Sequence, residues 1–325
     1  MKKNIALVTG GYSGESVISY KSAATIFENL DRSKWNVFLI DINVEGWFFT
    51  DENNRKISID KNDFTLQIGA DKIHFDAVMI GLHGTPGEDG KLQGYFDCLN
   101  IPYTSCDVTS SAITFNKRYT VAVAAFAGIP VAKSMHLFKH TSYLIEDLLN
   151  ELTIPVFVKP NNGGSSLGMS KVNQPEDLSS SLEKAFGVDD QVLVEEYISG
   201  REFTIGVFKT KGEIITLPIT EIVTQNEFFD FQAKYEGASE EITPAKITDA
   251  MAMKICMEAK KAYQVFNCSG VVRIDFIYNE NADKPFLLEI NTVPGQSAAS
   301  IIPQQVKAMG WSLQEFYSKL LEECF

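Results

Sequence analysis

Two adjacent stretches decide how this chain is read: Val271-Val272-Arg273-Ile274-Asp275-Phe276-Ile277-Tyr278 and, after the turn residues 279–285, Phe286-Leu287-Leu288-Glu289-Ile290-Asn291. Their β-branched and aromatic content predicts two strands of a hairpin. Side chains alternate across a strand, so Arg273 and Asp275 share one face, as do Glu289 and Asn291 on the partner. Facing residues of paired strands lie roughly 4.5–5.5 Å apart at Cβ. Asp275, Glu289 and Asn291 are therefore expected to converge, with Arg273 beside them. Two carboxylates and an amide offer hard oxygen ligands, which suit Mg²⁺ held partly through a substrate's phosphates. The bland reading is a solvated sheet face with scattered charges. Polar residues interrupting otherwise strongly apolar strands favour the site.

Composition bounds the remaining possibilities. A chain of 325 residues has room for two or three lobes, each with its own core. Its apolar fraction of 45% and charged fraction of 22% are those of an ordinary globular protein. The formal net charge is −13 and no basic block occurs, which argues against a nucleic-acid or anionic-membrane partner. A nucleotide substrate remains open, since it needs only a local cluster of cations. Cys98, Cys106, Cys256, Cys268 and Cys324 form no CxxC pair or zinc spacing, and such a scattered set predicts reduced thiols in the cytoplasm. The apolar run after Lys2 and Lys3 stops at Thr9-Gly10-Gly11, short for a signal peptide. The stretch 121–132 is broken by Gly128 and Pro130 and is far below a membrane span.

From the N-terminus, strand 4–8, the turn Gly10-Gly11-Tyr12-Ser13-Gly14-Glu15, a helix from Ser16 to about Leu30 and strand 35–40 predict a doubly wound start. GxGxxG is absent, so a dinucleotide site is not supported. Glu15 at a helix N-terminus either complements the dipole or holds an ammonium. Residues 47–73 predict short strands and turns, and 75–80 a buried strand. The following loop, 81–90, holds His83 and two acids among glycines, richer than a plain connection requires, although a lone loop histidine is more often structural. Segments 91–99, 109–127 and 141–151 predict helices, the second containing Asn116-Lys117-Arg118.

Strand 155–159 ends in Lys159 and enters the loop Pro160-Asn161-Asn162-Gly163-Gly164-Ser165-Ser166-Leu167-Gly168. Small residues there free backbone N–H groups for phosphate, although a hairpin turn would look similar on glycine content alone. A strand lysine beside a glycine-rich cover is a recurring ATP arrangement. Strand 191–198 ends in acids suited to a ribose or an adenine amine, or simply to water. Residues 222–246 lack clean periodicity, which predicts a lid. Segments 248–266 and 312–324 predict helices, and Gly295 predicts an anion-binding turn.

Taken in order, Gly10–Glu15, His83-Gly84-Thr85-Pro86-Gly87-Glu88-Asp89-Gly90, Lys159–Gly168, Arg273-Ile274-Asp275 and Glu289-Ile290-Asn291-Thr292-Val293-Pro294-Gly295 resemble the D-alanine–D-alanine ligases of the ATP-grasp superfamily. The resemblance spans essentially the whole chain. It implies an α/β and α+β architecture: an N-terminal Rossmann-like (pre-ATP-grasp) substrate domain over 1–104, then a two-lobed ATP-grasp fold. The central lobe is placed at 105–198, and the C-terminal lobe with the Mg and substrate site at 199–325. The implied activity is ATP-dependent formation of D-alanyl-D-alanine through D-alanyl phosphate, with two Mg²⁺ or Mn²⁺ ions. A homodimer is implied by the likeness alone.

The same likeness implies residue roles. Lys117 and Lys159 would hold ATP phosphates, and Glu195, Ile198 and Glu202 adenine and ribose. Glu196 would join them, although relatives commonly carry lysine there. Asp275, Glu289 and Asn291 would carry the metal ions. Glu15, linked through Ser165 and Tyr235, would hold the first D-alanine's ammonium, with His83 nearby. Lys234 would reach the γ-phosphate, while Ser300 and Ile301 would touch the second D-alanine. Arg273 and the Gly295 N–H are expected to stabilise the tetrahedral oxyanion. A ligase joining D-alanine to D-lactate is one rival, disfavoured by Tyr235 where such relatives carry Phe. An ATP-binding regulatory protein is the other, disfavoured by the full set Lys159, Arg273, Asp275, Glu289 and Asn291, since mere binding does not require paired Mg²⁺ carboxylates.

Overall fold

Strand β1 (Lys3–Gly10) is buried over its last six residues and lies parallel to both β2 (Trp35–Asn43) and β7 (Ala77–Ile80). The computed structural model that shows this describes residues 2–163, 167–224 and 239–325; Ser165, Lys234 and Tyr235 lie outside those residues, as does most of the expected lid. Helix α1 (Ser16–Asn29) connects β1 to β2. From β2 the sheet continues antiparallel through β3 (Gly46–Thr50), β4 (Lys56–Asp60), β5 (Thr65–Ile68) and β6 (Asp71–Ile73), giving the order β6-β5-β4-β3-β2-β1-β7. Helix α2 (Lys91–Leu99) follows the glycine-rich loop. The parallel core of the expected Rossmann-like domain is thus extended by an antiparallel meander.

The single helix expected over 109–127 is two helices, α3 (Val108–Phe115) and α4 (Lys117–Phe126). Asn116 breaks them: its backbone is extended, and its Oδ1 accepts the Tyr119 N–H as the N-cap of α4. Asparagine competes for local backbone groups in this way and favours caps over helix interiors. The break starts a new helix at Lys117.

An antiparallel sheet follows, in the order β10-β9-β11-β8. It is built from β8 (Ser134–Phe138), β9 (Val156–Pro160), β10 (Ser170–Val172) and β11 (Gln191–Glu196). It is covered by α5 (Ile145–Glu151) and α6 (Leu178–Phe186), whose Leu148, Leu178 and Leu182 join Val158 and Val194 in one core. Helix α5 begins four residues later than the expected 141.

The third sheet runs β15-β14-β12-β16-β17, from β12 (Arg201–Thr210), β14 (Thr220–Thr224), β15 (Ser239–Ile242), β16 (Val271–Asn279) and β17 (Lys284–Asn291); β13 (Glu213–Thr216) pairs with β12. Helix α7 (Asp249–Val265), capped by Thr248, buries Ile255, Ala259 and Tyr263 against this sheet. Cys106, Ala124 and Ile129 belong to the same core, so α3 and α4 pack on the C-terminal lobe. The last helices, α8 (Ile301–Ala308) and α9 (Leu313–Glu322), return to the N-terminal sheet, where Val306, Phe316 and Leu320 share a core with Ile5, Leu7 and Ala77. Pro303 is tolerated in the first turn of α8 because an N–H there has no intrahelical acceptor.

Candidate active site

The hairpin β16–β17 has the register on which the site depends. Asp275 faces Glu289, and Arg273 faces Asn291. A bulge follows: Phe276 pairs with Leu287, leaving Leu288 as the extra residue of β17. A bulge re-aims side chains, and here the consecutive Leu287, Leu288 and Glu289 all border open space, while Leu287 and Ile290 also join the core beneath the sheet.

That space consists of two adjoining cavities of about 360 and 380 Å³. The first is lined by Glu15, His83, Glu88, Arg273, Asn291, Gly295, Ser300 and Ile301. The second is lined by Lys159, Glu195, Glu196 and Ile198, with Phe157, Leu193 and Leu287 supplying apolar walls. Lys117, Glu202, Asp275 and Glu289 line both. Every expected site residue within the described part of the chain therefore borders one cavity or both. Apolar walls with a few convergent charged groups are what a small-molecule site requires.

Charge at the junction is organised by Arg273. Its Nε and Nη2 donate to the two Asp275 oxygens at 2.9 and 2.8 Å, and Nη2 lies 3.4 Å from Glu289 Oε1. Burial opposes the guanidinium charge, but Asp275, then Glu289 and Glu88, more than reverse that effect and hold Arg273 protonated more firmly than usual. Thr204 Oγ1 also donates to Asp275 Oδ1, at 2.5 Å. A carboxylate has about four lone-pair positions; three are used by these bonds, leaving one for a further ligand.

Among the described residues no group of three or more His, Cys, Asp or Glu side chains is arranged to hold a metal ion. The donor set is two carboxylates plus the Asn291 amide, whose Oδ1 also accepts the Val293 N–H at 3.1 Å. So sparse a hard-oxygen set fits Mg²⁺ or Mn²⁺ completing its shell with phosphate oxygens and water, rather than a closed protein cage.

The cations around the second cavity are held in place. Lys159 Nζ pairs with Glu195 across β9 and β11, and Lys117 Nζ donates to Gly163 O at 2.7 Å. Asn161 anchors the start of α4, its O accepting from Lys117 N at 3.1 Å and its Oδ1 from Arg118 N at 2.9 Å. Glu196 has a structural task as well, since its Oε1 accepts the Thr153 N–H at 2.8 Å. Next to His83, Gly84 sits at φ +66°, and a Cβ there would lie 2.6 Å from Glu15 Oε2. Glycine is required for the His83 loop to approach Glu15 so closely.

Two site residues escaped the sequence reading. Thr204 was legible only through alternation with Glu202 on a strand whose neighbour was then unknown. Glu88 was visible as an acid of the His83 loop but carried no assigned role; it lines the first cavity, 3.5 Å from His83 Nδ1.

Three antiparallel and mixed sheets, with two cavities meeting at the Asp275–Glu289 pair of a β-hairpin, define an ATP-grasp ligase. Residues 4–106 match the family "D-ala D-ala ligase N-terminus", and residues 117–322 match "D-ala D-ala ligase C-terminus". A D-alanine–D-alanine ligase from Flavobacterium johnsoniae is 44% identical over 320 residues, covering 98% of each chain. The D-Ala:D-Ser ligase VanG from Enterococcus faecalis superposes with a TM-score of 0.89 at 30% identity, covering 100% of both chains. The D-alanine–D-alanine ligase of Bacillus anthracis complexed with ATP gives 0.79 at 27% identity, covering 99% of this chain and 97% of that one. The chain belongs to the D-alanine–D-alanine ligase family and is an ATP-dependent ligase of cell-wall precursor synthesis.

Proposed function

We propose that the chain makes D-alanyl-D-alanine through a D-alanyl phosphate intermediate formed where its two cavities meet. ATP occupies the second cavity, with Lys117 and Lys159 on its phosphates and Glu195, Glu196, Ile198 and Glu202 around adenine and ribose. Asp275, Glu289 and Asn291 would hold Mg²⁺ or Mn²⁺, which when bound neutralises charge on the phosphates. Glu15, with Ser165 and Tyr235, receives the ammonium of the first D-alanine beside His83, and Lys234 reaches the γ-phosphate. Ser300 and Ile301 receive the second D-alanine. A carboxylate is a poor electrophile, so its oxygen first takes the γ-phosphoryl group and ADP leaves. The amine of the second molecule then attacks the acyl carbon and phosphate departs. Arg273 and the Gly295 N–H stabilise the oxyanion of that addition, a contribution of about 2.7–4 kcal/mol per donor in comparable sites.

One observation carries the reading: Asp275 and Glu289 line both cavities, so a phosphate held in one is presented to a carboxylate held in the other. The division into lobes at 104 and 198, a homodimer and a cytoplasmic address belong to the same proposal. Among the described residues no helix is long and apolar enough to cross a membrane. The test is a coupled ATPase assay across D-amino acids, with products identified by mass spectrometry. D-alanine alone is expected to give D-alanyl-D-alanine and one ADP per dipeptide. ATP binding without dipeptide would favour a regulatory protein, and faster phosphate release with added D-lactate at neutral pH a depsipeptide ligase.

A further inference from the structure

Helix α1 buries Ser19, Ser22, Ala23 and Ile26, the i, i+3, i+4, i+7 face of an amphipathic helix. Two serines on that face are unexpected, because a buried hydroxyl costs stability unless it is hydrogen-bonded. Both are. Ser19 Oγ accepts the His83 N–H at 2.9 Å. Ser22 Oγ accepts the Gln296 N–H at 3.0 Å and lies 2.8 Å from His83 Nε2. Tyr317 O–H in turn donates to Gln296 Oε1 at 3.2 Å. Ser22, His83, Gln296 and Tyr317 are all buried. A single hydroxyl thus connects the histidine of the first cavity to the turn that carries Gly295.

The bonding bears on one proton. The Gln296 backbone N–H can only donate, so Ser22 Oγ is an acceptor there. The hydroxyl has a second lone pair, but among the described residues donation to His83 Nε2 is the arrangement that leaves no buried hydroxyl hydrogen unpaired. With the hydroxyl donating to Nε2, the ring proton sits on Nδ1, the nitrogen 3.5 Å from Glu88 Oε1. Nε2 is thus taken up by Ser22, and His83 serves as a wall of the pocket.

Resting on the ligase reading above, we propose that Ser22 is a positioning residue for ligation. Its hydroxyl sets the His83 imidazole in the Nδ1–H form and holds the Gln296 amide, fixing the first-substrate pocket against the oxyanion turn. Ser22 touches neither reactant. Its removal disturbs two halves of the acyl site together and leaves the nucleotide slot, formed by other elements, alone.

The full chain labelled with ¹⁵N-histidine tests this by two-bond ¹H–¹⁵N spectra, the His83 signals being those lost in His83→Gln. The expected wild-type pattern has Nδ1 protonated and Nε2 bare. In Ser22→Ala, the Nε2–H form is expected to appear, and kcat to fall by about tenfold or more, the scale of a lost buried hydrogen bond. KM for ATP should stay within about twofold, because the kinetic loss belongs to the acyl site. Should Ser22→Ala fail to fold, Tyr317→Phe takes its place, with a smaller fall in kcat in the same direction. A wild-type His83 protonated at Nε2, or a Ser22→Ala enzyme with wild-type kcat, overturns the proposal. The tautomer is read without turnover, so absence of ligase activity would count against the functional reading and leave this test standing.

Discussion

Arg273 and Asp275 share one problem: each is a charge held away from water, and each is stabilised chiefly by the other, with Glu289 beside Arg273 and Thr204 beside Asp275. Their two parallel hydrogen bonds require the planar fork of arginine. Arg273→Lys should therefore fold yet lose about 10²–10³ in kcat, the loss typical of one oxyanion donor; steady-state kinetics with circular dichroism as the folding control checks this. Asp275→Asn and Glu289→Gln keep the shape of the side chain and remove the charge. Each is expected to abolish turnover nearly completely while leaving the fold intact, and unchanged activity at saturating Mg²⁺ would remove that residue from the site. These residues were legible because polar side chains at alternate positions interrupt apolar strands. Ser22 was not, since a serine among helical residues looks like any solvated position until the tertiary partner is known.

At the scale of elements, the features that aim the site lie where local pattern fades. The Asn116 break and the bulge at Leu288 each arise from one residue departing from a regular period, and neither leaves a trace in hydrophobic periodicity. Both matter: the first puts Lys117 at the start of a helix beside Asn161, and the second turns Glu289 toward the cavities. Asn116→Ala removes the cap and should cost about 1 kcal/mol in urea unfolding, with a raised KM for ATP as Lys117 loses its fixed origin. On β8, burial and then Arg118 lower the pKa of His136 below its ordinary 6.5. Below that pH the unfolded chain binds a proton that the folded chain resists, so stability is full above about pH 6.5 and declines as the pH falls further. Thermal unfolding between pH 8 and 5 should show a decline that is shallower in His136→Gln.

Across the whole molecule, the chain ends where it began. The sequence motifs appear in the order of three lobes, yet the cores do not follow that order: α8 and α9 fill the N-terminal core, and α3 and α4 pack on the C-terminal lobe. Long-range packing of this kind has no local signature, which is why the order of the strands and helices was readable and the interlocking was not. Leu320, buried among Ile5, Leu7 and Phe316, ties the last helix to the first strand. Leu320→Ala should cost about 2–5 kcal/mol. It should lower the fluorescence and circular dichroism transitions together, because Trp35 and Trp311 report on the same core.

The central claim is that a D-alanine carboxylate meets the γ-phosphate where Asp275 and Glu289 join the two cavities. Turnover of D-alanine labelled with ¹⁸O in its carboxylate tests that meeting most directly. Acyl phosphate formation predicts one ¹⁸O in each inorganic phosphate released, read by mass spectrometry; phosphate released without label, alongside dipeptide, would contradict it.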